Sequence, residues 1–135
     1  MDAVQHHLSV DIETYSDTDI GKAGLYKYAQ SPAFQILLFA YSLDGGPVEV
    51  VDITGPGRGI PADIRRHLLS PQTLKHAYNA AFEWYCLSRY LGLEPRREDS
   101  PLPAEDWIRQ WRCTMLHGMY LGYPAGLDAA GKALG

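Results

Sequence analysis

The sequence predicts an α/β domain in which helices cover a mixed β-sheet. Strand patterns come first as a hairpin and then alternate with helical patterns, which is the element order of a layered α/β fold. The chain has 135 residues, of which 46% are hydrophobic. A chain of that length can bury about two-thirds of its unfolded surface, so we expect residues 1–135 to form one domain.

Residues 5–13 are predicted to form the first strand, because apolar and polar side chains alternate along them. With a period of two, Leu8, Val10 and Ile12 share one face, while Asp11 and Glu13 share the other. The Cβ atoms of the two acids should lie roughly 6.6 Å apart, and carboxylates are ligands for hard cations. Taken alone, a strand that ends in solvent is the simpler explanation of this pattern.

A helix and a hairpin are predicted next. Residues 15–21 are polar and suit a loop, and residues 22–30 suit a short helix. Residues 34–42 are almost continuously apolar, so we expect a central strand that is buried on both faces. The Gly- and Pro-containing stretch 43–47 favours a turn, after which residues 48–53 return as an antiparallel third strand.

Helices and strands alternate in the next part of the chain. Pro61 suits the first position of a helix that runs to about residue 69. Residues 73–78 form the following strand. Asn79 is a good N-cap for a helix over residues 80–91, which Gly92 ends.

The last part of the chain has weaker patterns. Residues 94–103 are rich in proline and charge and are predicted to form a connector. Residues 104–122 have helical character that is interrupted near residues 111–114, where Thr114 is placed as the cap of a second helix. An amphipathic helix is predicted over residues 126–134.

The composition excludes several classes of function. A formal net charge of −4 argues against broad electrostatic binding to nucleic acid, so phosphate contacts should be local or bridged by metal. The longest apolar stretch is too short to span a bilayer, and we expect a cytoplasmic protein that does not contact a membrane. Cys86 and Cys113 lack ligand spacing and are predicted to be free thiols. The histidines show no mutual metal spacing, and we assign them no role.

Glu83 is a third acid of interest, because it lies in the first turn of the helix that follows the fourth strand. Such junctions often face a ligand. A simple structural explanation is also available, since the helix dipole favours an acid there by about 0.3–1 kcal/mol. Together with Asp11 and Glu13, however, Glu83 favours the functional explanation, because three acids on adjacent elements indicate a functional site.

Two short motifs and several longer phrases resemble one known family. Asp11-Ile12-Glu13-Thr14 and Asn79-Ala80-Ala81-Phe82-Glu83 look like the first two motifs of the DEDD-type 3′-5′ exonuclease domain of family A DNA polymerases, especially those of phages and prophages. Glu83 stands where the family more often has Asp. The longer phrases that resemble the phage-type sequences, in the same order, lie at residues 24–29, 36–41, 111–115 and 127–134.

The resemblance implies a ribonuclease H-like fold and a two-metal proofreading nuclease. In it, Asp11 would bridge two Mg²⁺ or Mn²⁺ ions, Glu13 would hold the ion that activates water, and Glu83 would serve the second ion. Thr14, Asn79 and Phe82 would contact the terminal nucleotide. The implied partners are the 3′ end of single-stranded DNA and a DNA polymerase body.

One departure from the family concerns its third motif, which carries the fourth catalytic acid. We expect that segment to follow residue 135, so the domain is interpreted as C-terminally truncated and as weakly active or inactive. Tyr123 and Asp128 are the nearest stand-ins, and Asp128 is interpreted as structural. The alternatives are a non-catalytic nucleic-acid-binding or polymerase-docking module and an RNA-directed exonuclease of the same fold.

Overall fold

A mixed β-sheet forms the centre of the protein. The computed structural model describes residues 3–93 and 104–122, and within them five strands make one sheet. In chain order the strands are β1 (His6–Tyr15), β2 (Gln35–Leu43), β3 (Glu49–Asp52), β4 (Thr73–Ala77) and β5 (Trp111–Cys113). Their order across the sheet is β3-β2-β1-β4-β5. β1 pairs antiparallel with β2 and parallel with β4, so the sheet is mixed as predicted.

Helices connect the strands and flank the sheet. Those within the described residues are α1 (Ile20–Ala23), α2 (Leu25–Gln30), α3 (Ala62–Leu69), α4 (Ala80–Leu91), α5 (Ala104–Arg109) and α6 (Thr114–Tyr120). The predicted α/β class is confirmed, and the arrangement is consistent with a ribonuclease H-like fold. None of these helices combines the length and apolar character that crossing a bilayer requires.

The alternation of β1 places the core on one face of the sheet. Leu8, Val10 and Ile12 are buried, whereas Asp11 and Glu13 between and after them are exposed. The buried side chains pack in one cluster with residues of the helices, among them Leu68 of α3, Leu87 of α4 and Trp107 of α5. Full burial of one such large apolar side chain stabilises the fold by about 1.5–3 kcal/mol. The predicted facing of the first strand is confirmed.

The prediction for β2 is wrong in part. The antiparallel hairpin with β3 is confirmed, but β1 and not β2 is the central strand. Ile36 and Phe39 are buried, whereas Leu38 and Ala40 are only half-buried. These two residues pair with Glu13 and Asp11, and the described residues cover that face of the sheet only partly.

The predicted helix over residues 22–30 is divided in two. Gly24 has φ 89° and ψ 165°, a backbone conformation that ends α1 before α2 begins. α1 also begins earlier than predicted, because the side chain of Asp19 accepts hydrogen bonds from the backbone N–H groups of Gly21 and Lys22. The loop predicted over residues 15–21 is therefore shortened at both ends.

The segment around residue 111 also differs from the prediction. The expected interruption between two helices is the strand β5, which pairs parallel with β4 through Lys75 opposite Trp111 and Ala77 opposite Cys113. Cys113 occupies the N-cap position of α6, so Thr114 is its first helical residue and not its cap. The predicted connector at 94–103 and the predicted helix at 126–134 lie outside the described residues.

Candidate functional site

The two acids of β1 lie beside an irregularity in the sheet. Asp11 pairs with Ala40, and Glu13 pairs with Leu38. The register then shifts, because Thr14 pairs with Ile36 and leaves Leu37 between the two paired residues of β2. Such bulges bend a strand and re-aim its side chains, and they are common next to active sites. The direction of the Glu13 side chain therefore depends on how this bulge is held.

Glu83 is brought close to Asp11 by the junction between β4 and α4. Its side chain is buried, with 5% of the residue exposed, and Oε2 has no hydrogen-bond partner among the described residues. Burial raises the pKa of Glu83 to about 7, and the negative charge of Asp11 adds to the rise. The fold thus lets the two carboxylates interact electrostatically, although they are far apart in the sequence.

The three predicted acids do not all meet at one point. Within residues 3–93 and 104–122, no three histidine, cysteine, aspartate or glutamate side chains converge closely enough to hold one metal ion. Asp11 and Glu83 interact electrostatically, whereas Glu13 is exposed on the same face of β1 as Asp11. The chemistry of the set still suits a divalent cation, because all donors are carboxylate oxygens and Oε2 of Glu83 is buried without a partner.

One cysteine, Cys86, interacts electrostatically with Glu83 and is a neutral thiol. Cys86 lies one turn after Glu83 on α4 and is fully buried. Burial raises the pKa of Cys86 to about 12, and the charge of Glu83 contributes to the rise. Cys86 and Cys113 are both free, as predicted. The environment of Cys86 does not supply a reactive thiolate, so the chemistry of the site is assigned to the carboxylates.

The residues predicted to contact a nucleotide lie next to the acids. The hydroxyl of Thr14 shares a hydrogen bond of 2.8 Å with the hydroxyl of Tyr28. The half-buried ring of Phe82 lies 6.2 Å from the ring of Tyr28. Asn79 occupies the N-cap position of α4 as predicted, but its exposed side chain makes no capping hydrogen bond. The side-chain amide of Asn79 therefore does not cap α4.

A group of basic residues near Asp11 has no counterpart in the sequence analysis. Nδ1 of His7 and Nε2 of His76 are 2.9 Å apart and share a hydrogen bond. Burial lowers the pKa of His76, and the charges of His7 and Arg112 lower it further. A cavity of about 240 Å³ contacts both Asp11 and His76. These residues come together only through the parallel pairing of β1 with β4 and of β4 with β5, which leaves no signal in the local sequence.

The described geometry is that of an α/β domain with a carboxylate site at the junction of β1 and α4. The chain is similar to part of a phage DNA polymerase: it is 43% identical over 127 residues to the DNA polymerase of Bacillus phage SP02. The match covers 94% of this chain and 18% of the polymerase, so the chain spans about a fifth of the length of that relative. No model of a known protein family matches the chain.

Proposed function

We propose that the chain is a two-metal-dependent 3′-5′ exonuclease module of a phage-type DNA polymerase. The observation that carries the proposal is the buried carboxyl of Glu83, whose Oε2 has no partner among the described residues and whose ionisation Asp11 opposes. A protein gains nothing in stability from two carboxylates placed in this way without a cation. A site that collects divalent cations accounts for the arrangement.

Each of the three acids has a role in this proposal. Asp11, Glu13 and Glu83 would hold Mg²⁺ or Mn²⁺, which prefer hard oxygen ligands. The bound ions would supply an activated water and stabilise charge on the leaving oxygen of a phosphodiester. The similarity to a phage DNA polymerase supports DNA as the substrate. In this proposal the reacting end is the 3′ end of a single strand.

Neighbouring residues would hold the terminal nucleotide. The exposed amide of Asn79 can donate and accept hydrogen bonds, and the half-buried aromatic ring of Phe82 is the proposed stacking partner of the base. Stacking on an aromatic ring contributes about 1–3 kcal/mol per base. The backbone of Thr14 adjoins the two acids of β1 and remains a candidate contact, while its hydroxyl is bonded to Tyr28. In the complete polymerase, the polymerase body is the proposed protein partner.

One observation favours a second candidate function. Because no three potential metal ligands converge within the described residues, the domain could bind DNA or the polymerase body without cleaving DNA. In that function Asp11 and Glu13 would be ordinary exposed acids of a strand. The two candidates make opposite predictions for a nuclease assay.

The test uses a 5′-labelled single-stranded oligonucleotide with Mn²⁺ and follows shortening from the 3′ end. The variants are Asp11→Ala and Glu83→Gln, and the matched control is Glu49→Gln, which changes an exposed acid on the edge strand β3. Exonuclease function predicts a ladder, weak in this chain, that both site variants lose and the control keeps. Oligonucleotide binding without any Asp11-dependent shortening would favour the non-catalytic module instead.

A further inference from the structure

Tyr28 connects the two elements that carry the candidate site. Its hydroxyl shares the 2.8 Å hydrogen bond with Thr14, the residue directly after Glu13 in β1. Its ring lies 6.2 Å from the ring of Phe82, the residue directly before Glu83 in α4. One side chain of α2 therefore contacts the neighbour of an acid on each of the two elements.

The backbone of Tyr28 is held by Ser16, the residue that directly follows β1. The hydroxyl of Ser16 donates a hydrogen bond of 2.9 Å to the backbone carbonyl of Tyr28, and the Ser16 oxygen accepts one from the N–H of Thr18. The ring of Phe34 lies 6.0 Å from the ring of Tyr28 on another side. Backbone, ring and hydroxyl each contact a different group, so three separate contacts determine the position of Tyr28.

The hydrogen bond to Thr14 acts at the bulge in the sheet. The pairing of β1 with β2 shifts between Glu13 and Thr14, so the ladder alone does not set the strand direction at this point. The hydroxyl of Tyr28 holds the residue on the far side of the shift. A change at this bond should re-aim the Glu13 side chain relative to Asp11, which lies before the shift.

We propose that Tyr28 is a positioning residue that sets the geometry of Glu13 and Glu83 for a divalent cation. The inference rests on the proposed function, because it assigns Tyr28 a purpose only if the acids bind metal. Residues that orient metal ligands typically change metal affinity about 10–100-fold when they are replaced. Tyr28 would act through Thr14 and Phe82 and would not contact the cation itself.

Two other roles for Tyr28 make different predictions. If Tyr28 only filled the core, Tyr28→Phe would change stability and Mn²⁺ affinity little, because the ring contacts with Phe34 and Phe82 remain. A residue that stacks on a nucleobase would alter DNA affinity and leave metal affinity unchanged. Tyr28→Phe removes only the hydroxyl and keeps the ring, so a weaker Mn²⁺ affinity in this variant separates the positioning role from both of the others.

The experiment is a Mn²⁺ titration of the full chain followed by paramagnetic broadening of the backbone amide signals of Asp11, Glu13 and Glu83. The variants are Tyr28→Phe and Thr14→Val, which remove the two ends of one hydrogen bond, and their combination. The control is Tyr26→Phe on the same helix, where the tyrosine is 55% exposed. Melting temperatures without Mn²⁺ check that each variant is folded.

We expect about a tenfold higher Mn²⁺ midpoint in Tyr28→Phe and in Thr14→Val. The combined variant should be no weaker than either single one, because both remove the same bond. Tyr26→Phe should match the wild type.

If the wild-type signals do not broaden, or broaden equally in Asp11→Ala, the proposed metal site is wrong and the positioning role is overturned with it. If they broaden and both hydroxyl variants keep the wild-type midpoint, the metal site stands and only the role of Tyr28 is overturned. Should Tyr28→Phe fail to fold, Thr14→Val gives the same decision from the other end of the bond.

Discussion

Burial raises the pKa of Glu83 to about 7, and the negative charge of Asp11 on a different element adds to that rise. Glu83 therefore carries a full charge in the folded protein only above neutral pH, whereas a free glutamate ionises near 4.5. The folded state binds more protons than the unfolded state between these two values. Folding without metal is thus opposed by the ionisation of Glu83.

Glu83→Gln should stabilise the metal-free protein at about pH 8 by roughly 1–3 kcal/mol, because it removes a buried charge. The sign follows from the raised pKa. The favourable contribution of the neutral carboxyl is complete below 4.5 and is lost as the pH rises through about 7, so the gain should vanish near pH 5. Urea unfolding at the two pH values measures the difference.

Glu49→Gln is the matched control for this substitution, since Glu49 is exposed on β3. It should change the free energy of unfolding by less than about 0.5 kcal/mol at either pH. A Glu83→Gln variant that is less stable than the wild type at pH 8 would show that the carboxylate has a structural partner in solution.

Much of the fold follows from local sequence patterns. The alternation over β1, the turn between β2 and β3 and the glycine after α4 each depend on neighbouring residues, and all three were predicted correctly. The strand β5 was missed because it has only three residues and exists through its pairing with β4. The break at Gly24 was missed because an isolated glycine is often tolerated inside a helix, so its presence alone does not predict an end.

The candidate site was predictable in its residue types and not in its environment. The period of two places Asp11 and Glu13 on one face, and the structure agrees. The deep burial of Glu83 depends on how α4 packs against α2 and the sheet, which no local pattern contains. The bond between Thr14 and Tyr28 likewise depends on the return of α2 to the end of β1.

Gly24→Ala should destabilise the protein by about 1–3 kcal/mol, because only glycine adopts φ 89° and ψ 165° without strain. No atom lies within 4 Å of the added Cβ, so the cost comes from the backbone alone. Thermal unfolding measures the loss. Gly92→Ala is the comparison: its φ of 72° and ψ of 26° are left-handed helical values that other residues tolerate better, so its loss should be smaller. The opposite ranking would contradict the assigned break between α1 and α2.

Ser88→Ala should cost about 1–3 kcal/mol, because it leaves a buried donor without its acceptor. The Trp107 indole Nε1 donates a hydrogen bond of 2.7 Å to the Ser88 hydroxyl, which in turn donates to the carbonyl of Trp84. This pair joins α5 to α4. Urea unfolding measures the loss, and Ser9→Ala, at an exposed position of β1, is the control. Equal stability of the two variants would exclude a contribution from the Trp107 bond.

Lys75→Met should remove a pH dependence that the wild type shows above neutral pH. Lys75 is completely buried, and burial lowers its pKa from 10.5 to about 7. Its Nζ donates to the carbonyl of Ser70 and to the side-chain oxygen of Gln110, two neutral acceptors that match the two N–H bonds of an uncharged amine.

The sign of the Lys75 effect follows from the lowered pKa. Above about 7 the unfolded state binds a proton that the folded state has lost, so the free energy of unfolding rises with pH. One such group contributes a slope of up to about 1.4 kcal/mol per pH unit. We expect this slope in wild-type urea unfolding between about pH 7.5 and 8.5, where Glu83 is already mostly ionised, and its loss in Lys75→Met. Lys22→Gln, an exposed change on α1, should keep the wild-type slope. A slope that survives in Lys75→Met would mean that Lys75 keeps its ordinary pKa and is reached by water in the folded protein.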